Sequence, residues 1–401
     1  MKFGFPFGVT AMISLALGLG RWLSERQSRR RHLGPPVATA ELEARRRLVA
    51  VCLSARNEEA DIEATIRSAA RMVPVEHVFV VSDGSTDETA ARARATGANV
   101  LTNDVPVGKP SALEQLMSHF GLLERFPFIL VVDGDTVLCA DYVDRALQVM
   151  EDERVACVGG HATSRWEPHV LPRWRHFVTA YRTRLYVVLQ TLITYGQTAR
   201  HPRANLYGVV PGFASMYRSS VLQRLKFHIP GLAIEDFGLA FQIRRYNLGL
   251  IAHYPVIGGI CHDPYNVEDY YQQLRRWNMG FFQTLRHFGL WPSLFCFIVV
   301  LFTAEILVTS VFFVVFPVMC GAAAAGRIWA PDFVREVAVV VYLTDYILTV
   351  AATIKTRHPL LLLYGLGFFY FRILDSLIFL RSLPAGLLTK SADVWTSPSR
   401  H

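Results

Sequence analysis

Two long apolar stretches, residues 291–320 and 333–354, limit what this chain can fold into more than any other feature. As a helix rising 1.5 Å per residue, each is long enough to cross a hydrocarbon core of about 30 Å. Residues 3–23 form another apolar run near the other end. Between these ends, from about residue 45 to 271, charged, apolar and turn-forming residues alternate as they do in a water-facing domain. Composition agrees with that division: 52% of the 401 residues are hydrophobic and 18% are charged, whereas a soluble domain carries about 25% charged residues.

The charges orient the chain. Lys2 alone precedes the first apolar run and Arg26, Arg29, Arg30 and Arg31 follow it, which by the positive-inside bias makes residues 1–25 a transmembrane helix with residues 45–270 in the cytosol. A cleaved signal peptide would carry its charges before the run and a small-residue site after it, the reverse of what stands here. After the next two spans, Lys355, Thr356, Arg357 and His358 fall on the inner side. Glu305 and Asp345 lie within those spans, where an ionisable group faces a bundle interior or a water path, or makes a helix-packing contact. A third apolar segment, residues 359–383, is interrupted by Arg372, Asp375 and Arg381 and loosened by Gly365 and Gly367. It reads equally as a span and as a re-entrant or interfacial helix, and the choice decides which side residues 384–401 occupy. The net charge of +8 sits beside apolar segments rather than among exposed aromatics, which argues for membrane lipids and against nucleic acid as the basic face's partner. Six scattered cysteines without a CxxC pair indicate neither a disulfide framework nor a zinc site.

The central domain reads as α/β. A buried strand at 48–53 runs into the polar loop Ser54-Ala55-Arg56-Asn57-Glu58-Glu59, and a helical pattern follows over 60–71. A second strand at 77–81 leads to Asp83-Gly84-Ser85-Thr86-Asp87, and a third at 128–132 to Asp133-Gly134-Asp135. Alternating strands and helices predict a mostly parallel sheet covered on both faces, with ligands bound beyond the carboxyl ends of its strands. All three polar loops lie at those ends. Asp133 and Asp135 offer oxygen ligands to one hard divalent cation, Mg2+ or Mn2+, while Gly134 lets the backbone approach a phosphate. Alone, such a motif is more readily a solvated turn. Its weight comes from the other acidic loops. Lys109 stands at a helix start, where its charge and the helix dipole favour a diphosphate. An amphipathic helix over 171–194 would seat the domain on the membrane.

With these motifs in order, the chain resembles the family-2 glycosyltransferases of GT-A fold, in particular the membrane polysaccharide synthases of the hyaluronan, chitin and cellulose class. The resemblance runs through Asn57-Glu58-Glu59, Asp83 to Asp87, Lys109, Asp133-Gly134-Asp135, Glu235-Asp236 and Gln273-Leu274-Arg275-Arg276-Trp277. It implies a cytosolic GT-A domain, a Rossmann-like mixed sheet, with α-helical transmembrane and interfacial helices, in the plasma membrane. It also implies transfer of sugar from a UDP-sugar to a growing poly- or oligosaccharide coupled to export, or to a lipid acceptor.

The same resemblance assigns residues. Asn57, Glu59, Asp83, Lys109, Asp133, Gln273 and Arg276 would bind the nucleotide sugar, with Asp133 and Asp135 holding the metal. Asp236, beside Glu235, would be the catalytic base. Trp277 would stack on the acceptor, with Gly212 near it. The segment 271–290 would be the interfacial helix, with Tyr270 and Tyr271 at its start, and 291–383 the membrane region. Trp395 and Arg400 would belong to a cytosolic gating tail at 384–401. Two positions depart from the family pattern: Ser82 stands where a second aspartate is common, and Ile234 where a threonine precedes the Glu-Asp pair. A competing class, an inert membrane receptor for nucleotides, is disfavoured because every acidic motif residue is retained. Sugar, linkage and oligomeric state are not legible.

Overall fold

A computed structural model describes residues 39–166, 176–196, 209–327 and 331–389. The 1–25 segment with its arginine cluster, and the tail with Trp395 and Arg400, lie outside the described residues. The elements in chain order are α1 (Thr39–Arg46), β1 (Val49–Ala55), α2 (Ile62–Ala70), β2 (Val78–Asp83), α3 (Thr89–Ala95), β3 (Asn99–Asn103), α4 (Lys109–His119), α5 (Leu122–Arg125), β4 (Phe128–Asp133), β5 (Val137–Leu138) and α6 (Tyr142–Met150). They continue with β6 (Val155–Ser164), α7 (His176–Gly196), β7 (Ala214–Arg218), α8 (Ser219–Leu222), α9 (Glu235–Arg245), β8 (Leu250–Cys261), α10 (Val267–Phe288), α11 (Leu294–Ala324), α12 (Pro331–Thr356), α13 (Leu360–Gly365) and α14 (Phe368–Leu388).

The eight strands form one sheet in the order β3-β2-β1-β4-β7-β6-β8-β5. Its first half is parallel throughout. The second half is mixed, because β7 runs antiparallel to both β4 and β6 while β6 and β8 are parallel. The predicted mostly parallel sheet therefore holds for one half only. β1 shows why that half was readable: Val49, Val51 and Leu53 point to one face and Ala50 and Cys52 to the other, all fully buried, the near-continuous apolar run of a strand covered on both sides. One layer packs α2 and α6 on the sheet through Ile62, Ile66, Tyr142 and Ala146. The opposite layer packs α4 and α9 through Leu113, Leu116, Leu239 and Ile243.

α11 and α12 are long and apolar enough to cross a membrane. Only 17% and 22% of their most apolar windows are buried, and Phe297, Val308, Leu343 and Ile347 stand exposed along them. A soluble core helix would hide such side chains. The segment predicted as one apolar stretch over 359–383 is broken: α13 ends at Gly365, and α14 begins after Gly367, against which the Phe177 ring packs closely. α14 then lies along α10, where Arg286 donates to the carbonyls of Leu387 and Thr389 at its end. That contact keeps the end of α14 beside α10.

The charges buried between the two regions are matched. Arg184 on α7 binds the Asp345 carboxylate and Thr349 Oγ1 on α12, and Arg372 Nε lies 3.5 Å from the same carboxylate. Tyr181 and Tyr270 each donate to Asp375 at 2.5 Å. Tyr270, at the start of the segment read as an interfacial helix, is fully buried among Tyr181, Phe368 and Phe371, and its hydroxyl donates to Asp375. Asp345 faces the interior, one of the two placements anticipated for it.

Candidate active site

The carboxyl ends of β1, β2 and β4 open on one crevice, and backbone contacts lock their loops together. Gly134 N–H donates to Ser54 O and Asp133 N–H to Phe213 O, so the aspartate turn is pinned to β1 on one side and to the segment before β7 on the other. Thr65 Oγ1 donates to Gly134 O. The Asn57 carboxamide oxygen accepts from Thr86 N–H at 2.9 Å, and Glu59 accepts from Glu88 N–H at 3.1 Å. These two residues zip the β1 loop to the β2 loop. Ser82, the departure noted in the sequence, donates to Ser85 Oγ within the same turn.

Asp83 is buried, and its two oxygens accept from the N–H groups of Val107 and Gly108 at 2.9 and 2.8 Å and from Asn103. It thereby fixes the entry to α4. Gly108 has φ 88°, a backbone state that only glycine takes without strain, and it turns the chain so that Lys109 projects into the crevice. There the Lys109 ammonium lies 2.8 Å from Asp133 Oδ1 and 2.7 Å from Glu235 Oε1, and donates to Gly212 O.

Glu235 and Asp236 sit at the start of α9, whose Phe241 packs on Phe295 of α11. The loop before them is held by α10: Gln283 accepts from Ala233 N–H, and Ile234 packs so closely on Gly280 that a Cβ there would fall 2.4 Å from Ile234 Cγ1. That apolar contact accounts for a branched aliphatic side chain at position 234. Gly212 meets a similar limit, since an added Cβ would lie 2.2 Å from Asp236 Oδ1. The glycine is needed for close approach, and its N–H is bonded to the Asp236 carboxylate.

Among the described residues, four carboxylates, Asp133, Asp135, Glu235 and Asp236, thus gather around two cations, Lys109 and Arg276. Burial works against the Lys109 charge, but Asp133, Glu235 and Asp236 outweigh it and hold the ammonium above the ordinary lysine range. Glu235 is pushed up by burial and pulled down further by Lys109, ending below the usual carboxylate range. Asp133 ends above its ordinary value, since burial and Asp135 together exceed the pull of Lys109. At Asp236, burial first, then Glu235, outweigh the pull of Lys109 and push the carboxyl up to about 8. Burial also lowers the Arg276 guanidinium from its usual value. Glu235 keeps 8% exposure and Asp133 keeps 35%, so the crevice opens on the Asp133 side.

The excess of negative charge and the hard oxygen donors suit a divalent cation. Among the described residues no three His, Cys, Asp or Glu side chains form a ready-made cage. Asp133 and Asp135 would therefore supply two ligands, leaving the rest to phosphate oxygens and water, as Mg2+ commonly requires.

Of the residues singled out in the sequence, the fold brings Lys109, Asp133, Asp135, Gly212, Glu235, Asp236 and Arg276 together. Asn57, Glu59 and Asp83 hold the surrounding loops. Gln273 and Trp277 extend the site along α10 towards α7, and there sequence reasoning missed Arg182 and Asp263. The guanidinium of Arg182 lies 4.6 Å from the Trp277 ring centroid and 3.3 Å from Asp263. The available signals were two arginines in the otherwise apolar α7 and an aspartate just past the end of β8.

Known proteins resemble this arrangement at several levels. The stretch 42% identical to the glucosyl-3-phosphoglycerate synthase of Mycobacterium tuberculosis spans 90 residues, 20% of this chain and 28% of that relative. A corresponding synthase from Mycolicibacterium paratuberculosis is 34% identical over 127 residues, 29% of this chain and 36% of its own. These matches span about a third or less of the length of the curated relatives. The mannosyltransferase PcManGT from Pyrobaculum calidifontis, solved in complex with GDP-Man and Mn2+, aligns with 93% of this chain and 99% of its own at a TM-score of 0.55 and 16% identity, a likeness that establishes the fold. The sequence family described as "Glycosyl transferase family group 2" matches residues 128–331, the part that carries the Asp133 turn, the Glu235-Asp236 helix start and Trp277. By that match the chain belongs to family group 2 of the glycosyltransferases and is a glycosyltransferase.

Proposed function

We propose that this glycosyltransferase takes a sugar from a cytosolic UDP-sugar and passes it, with inversion, to a hydroxyl presented at the membrane surface. The observation that carries this reading is the Asp236 carboxyl: half-buried, raised in pKa, and held by the Gly212 N–H beside the Asp133–Lys109 pair. A carboxylate of raised pKa is the stronger base for a neutral hydroxyl. Asp133 and Asp135 would hold Mg2+ or Mn2+, which when bound would neutralise charge on the departing diphosphate. Lys109 and Arg276 add fixed positive charge on that side. Asp236 takes the proton from the acceptor oxygen as that oxygen forms its bond to the anomeric carbon and the bond to the diphosphate breaks. One such displacement inverts the configuration. Glu235, engaged by Lys109, keeps the lysine placed.

A growing poly- or oligosaccharide of the hyaluronan, chitin or cellulose kind is the acceptor that the synthase-like Gln273 to Trp277 segment supports. A lipid acceptor is favoured by a different observation: α11 and α12 expose apolar side chains along their length, so a lipid could reach α10 along them without a channel. Both readings place the protein in the plasma membrane with residues 45–270 cytosolic.

The test is to incubate the purified full chain in nanodiscs with Mn2+ and each of several labelled UDP-sugars, and GDP-mannose, and to size the products. A ladder supports the polymer reading and a single-sugar lipid supports the second. Transfer that persists in excess chelator would overturn the metal assignment.

A further inference from the structure

Trp277 is not a free-standing platform. Arg182, fully buried on α7, sets its guanidinium 4.6 Å from the Trp277 ring, 4.8 Å from Tyr186 and 5.7 Å from Tyr270. Its polar atoms are oriented from the other side. Nε faces Asp263 Oδ1 at 3.3 Å, Nη2 donates to Tyr186 OH at 2.9 Å, and that hydroxyl donates in turn to Asp263 Oδ1 at 3.1 Å. Nη1 is buried and makes no hydrogen bond, so on that side the surrounding rings are its main compensation, through their negative faces. A buried cation held in this way cannot rotate without losing both its carboxylate and its aromatic contacts.

We propose that Arg182, locked by Asp263 and Tyr186, is a positioning residue that fixes the ring plane of Trp277 and so sets which acceptor can stack against it. Trp277 follows Arg276 on α10, and Arg276 faces the acidic cluster, so the ring stands at the boundary between the donor pocket and the membrane helices. The guanidinium lies over the indole ring, and Trp277 is half-buried, so part of its surface can still meet a ligand. Lysine would keep the charge but lose the planar fork that spans Asp263 and the ring together.

This inference rests on the reading that Trp277 meets the acceptor, and the experiment separates the two. The full chain in nanodiscs is labelled with 5-fluorotryptophan, and the Trp277 signal is identified among the seven tryptophans by its loss in Trp277→Phe. Arg182→Met is expected to shift that signal while leaving the Kd for Mn2+-UDP within about twofold, because the donor contacts lie elsewhere. Arg182→Lys should fall between Met and wild type. With n-octyl β-D-glucoside as the acceptor probe, Arg182→Met should raise the acceptor KM about tenfold with kcat little changed, the size expected from one lost cation–π contact. An unmoved Trp277 resonance in Arg182→Met would overturn the proposal. A moved resonance alongside an unchanged acceptor KM in Trp277→Phe would instead overturn the acceptor reading and leave the positioning role standing.

Discussion

The crevice at the strand ends and the junction between α7, α10, α12 and α14 are both rich in buried charge, but they balance it differently. At the junction, Asp345 has Arg184 and Arg372, Asp375 has two tyrosine hydroxyls, and Asp263 has Arg182. Each charge is answered within the protein. In the crevice, among the described residues, four carboxylates face two cations, and Lys109 pairs with Asp133 and Glu235 while Asp236 stays raised. Buried charge that is fully compensated fixes geometry, whereas buried charge left in excess awaits a ligand. Substitutions at Asp345 and its arginines should therefore change stability, and those in the crevice should change rate.

The largest effect expected is on rate. Asp236→Asn removes the base without changing the side chain's shape, and kcat should fall by about 10²–10⁴-fold, with Mn2+-UDP affinity and the melting temperature close to wild type. Steady-state kinetics alongside calorimetric donor binding would check this. A variant that turned over normally would erase the distinction between the regions.

At the junction the order reverses. Asp345→Leu leaves Arg184 and Arg372 without their shared carboxylate and should cost about 3–5 kcal/mol, as the breaking of a buried pair does. Arg184→Met should cost less, because Arg372 still faces Asp345. Combining the two should recover part of the loss, since one orphaned cation is gone. Thermal melts in detergent would show the pattern, and donor binding should stay unchanged throughout.

These two regions were also unequally legible in the sequence. β1, β2 and β4 announce themselves as apolar runs that end in acidic turns, and the fold places those turns at one edge as parallel topology requires. The mixed half was not readable, because β6 pairs with β8 across the intervening β7 and α9, and long-range pairing leaves no local signature. Arg182 and Arg184 lie within the stretch read only as an amphipathic helix, and their partners, Asp263 and Asp345, stand 81 and 161 residues away. Asp83 shows a third case. Its position was anticipated, but the bonds to Val107 and Gly108 depend on a loop whose course only the fold reveals.

A smaller effect tests the close approach inside the crevice. Gly212→Ala adds a Cβ where Asp236 Oδ1 now lies, so the carboxylate must swing aside, while the Lys109 bond to the Gly212 carbonyl can persist. Misplacing a catalytic group by about 1 Å costs on the order of 10²-fold, and a loss of roughly 10–100-fold in kcat with an unchanged melt is expected.

The mildest effect is a shift along the pH axis. Without cation, the Asp236 carboxyl is pushed up to about 8, so over the range between an ordinary carboxylate's pKa of about 4 and that value the folded protein holds a proton that the unfolded chain has lost. Stability contributed by this group is then present at low pH and declines as pH rises through that window. Activity runs the other way: kcat/KM for the acceptor should climb as the base deprotonates on approaching pH 8. Cation bound at Asp133 and Asp135 adds positive charge nearby and favours the ionised carboxylate, so raising Mn2+ should move the rising limb to lower pH. Asp236→Asn should lose the decline in stability, and Lys109→Met, with a cation removed from the cluster, should move the limb to higher pH. A limb that ignored Mn2+ concentration would mean that the Asp236 charge does not sense the aspartate turn, and the crevice would no longer differ from the junction in having charge to spare.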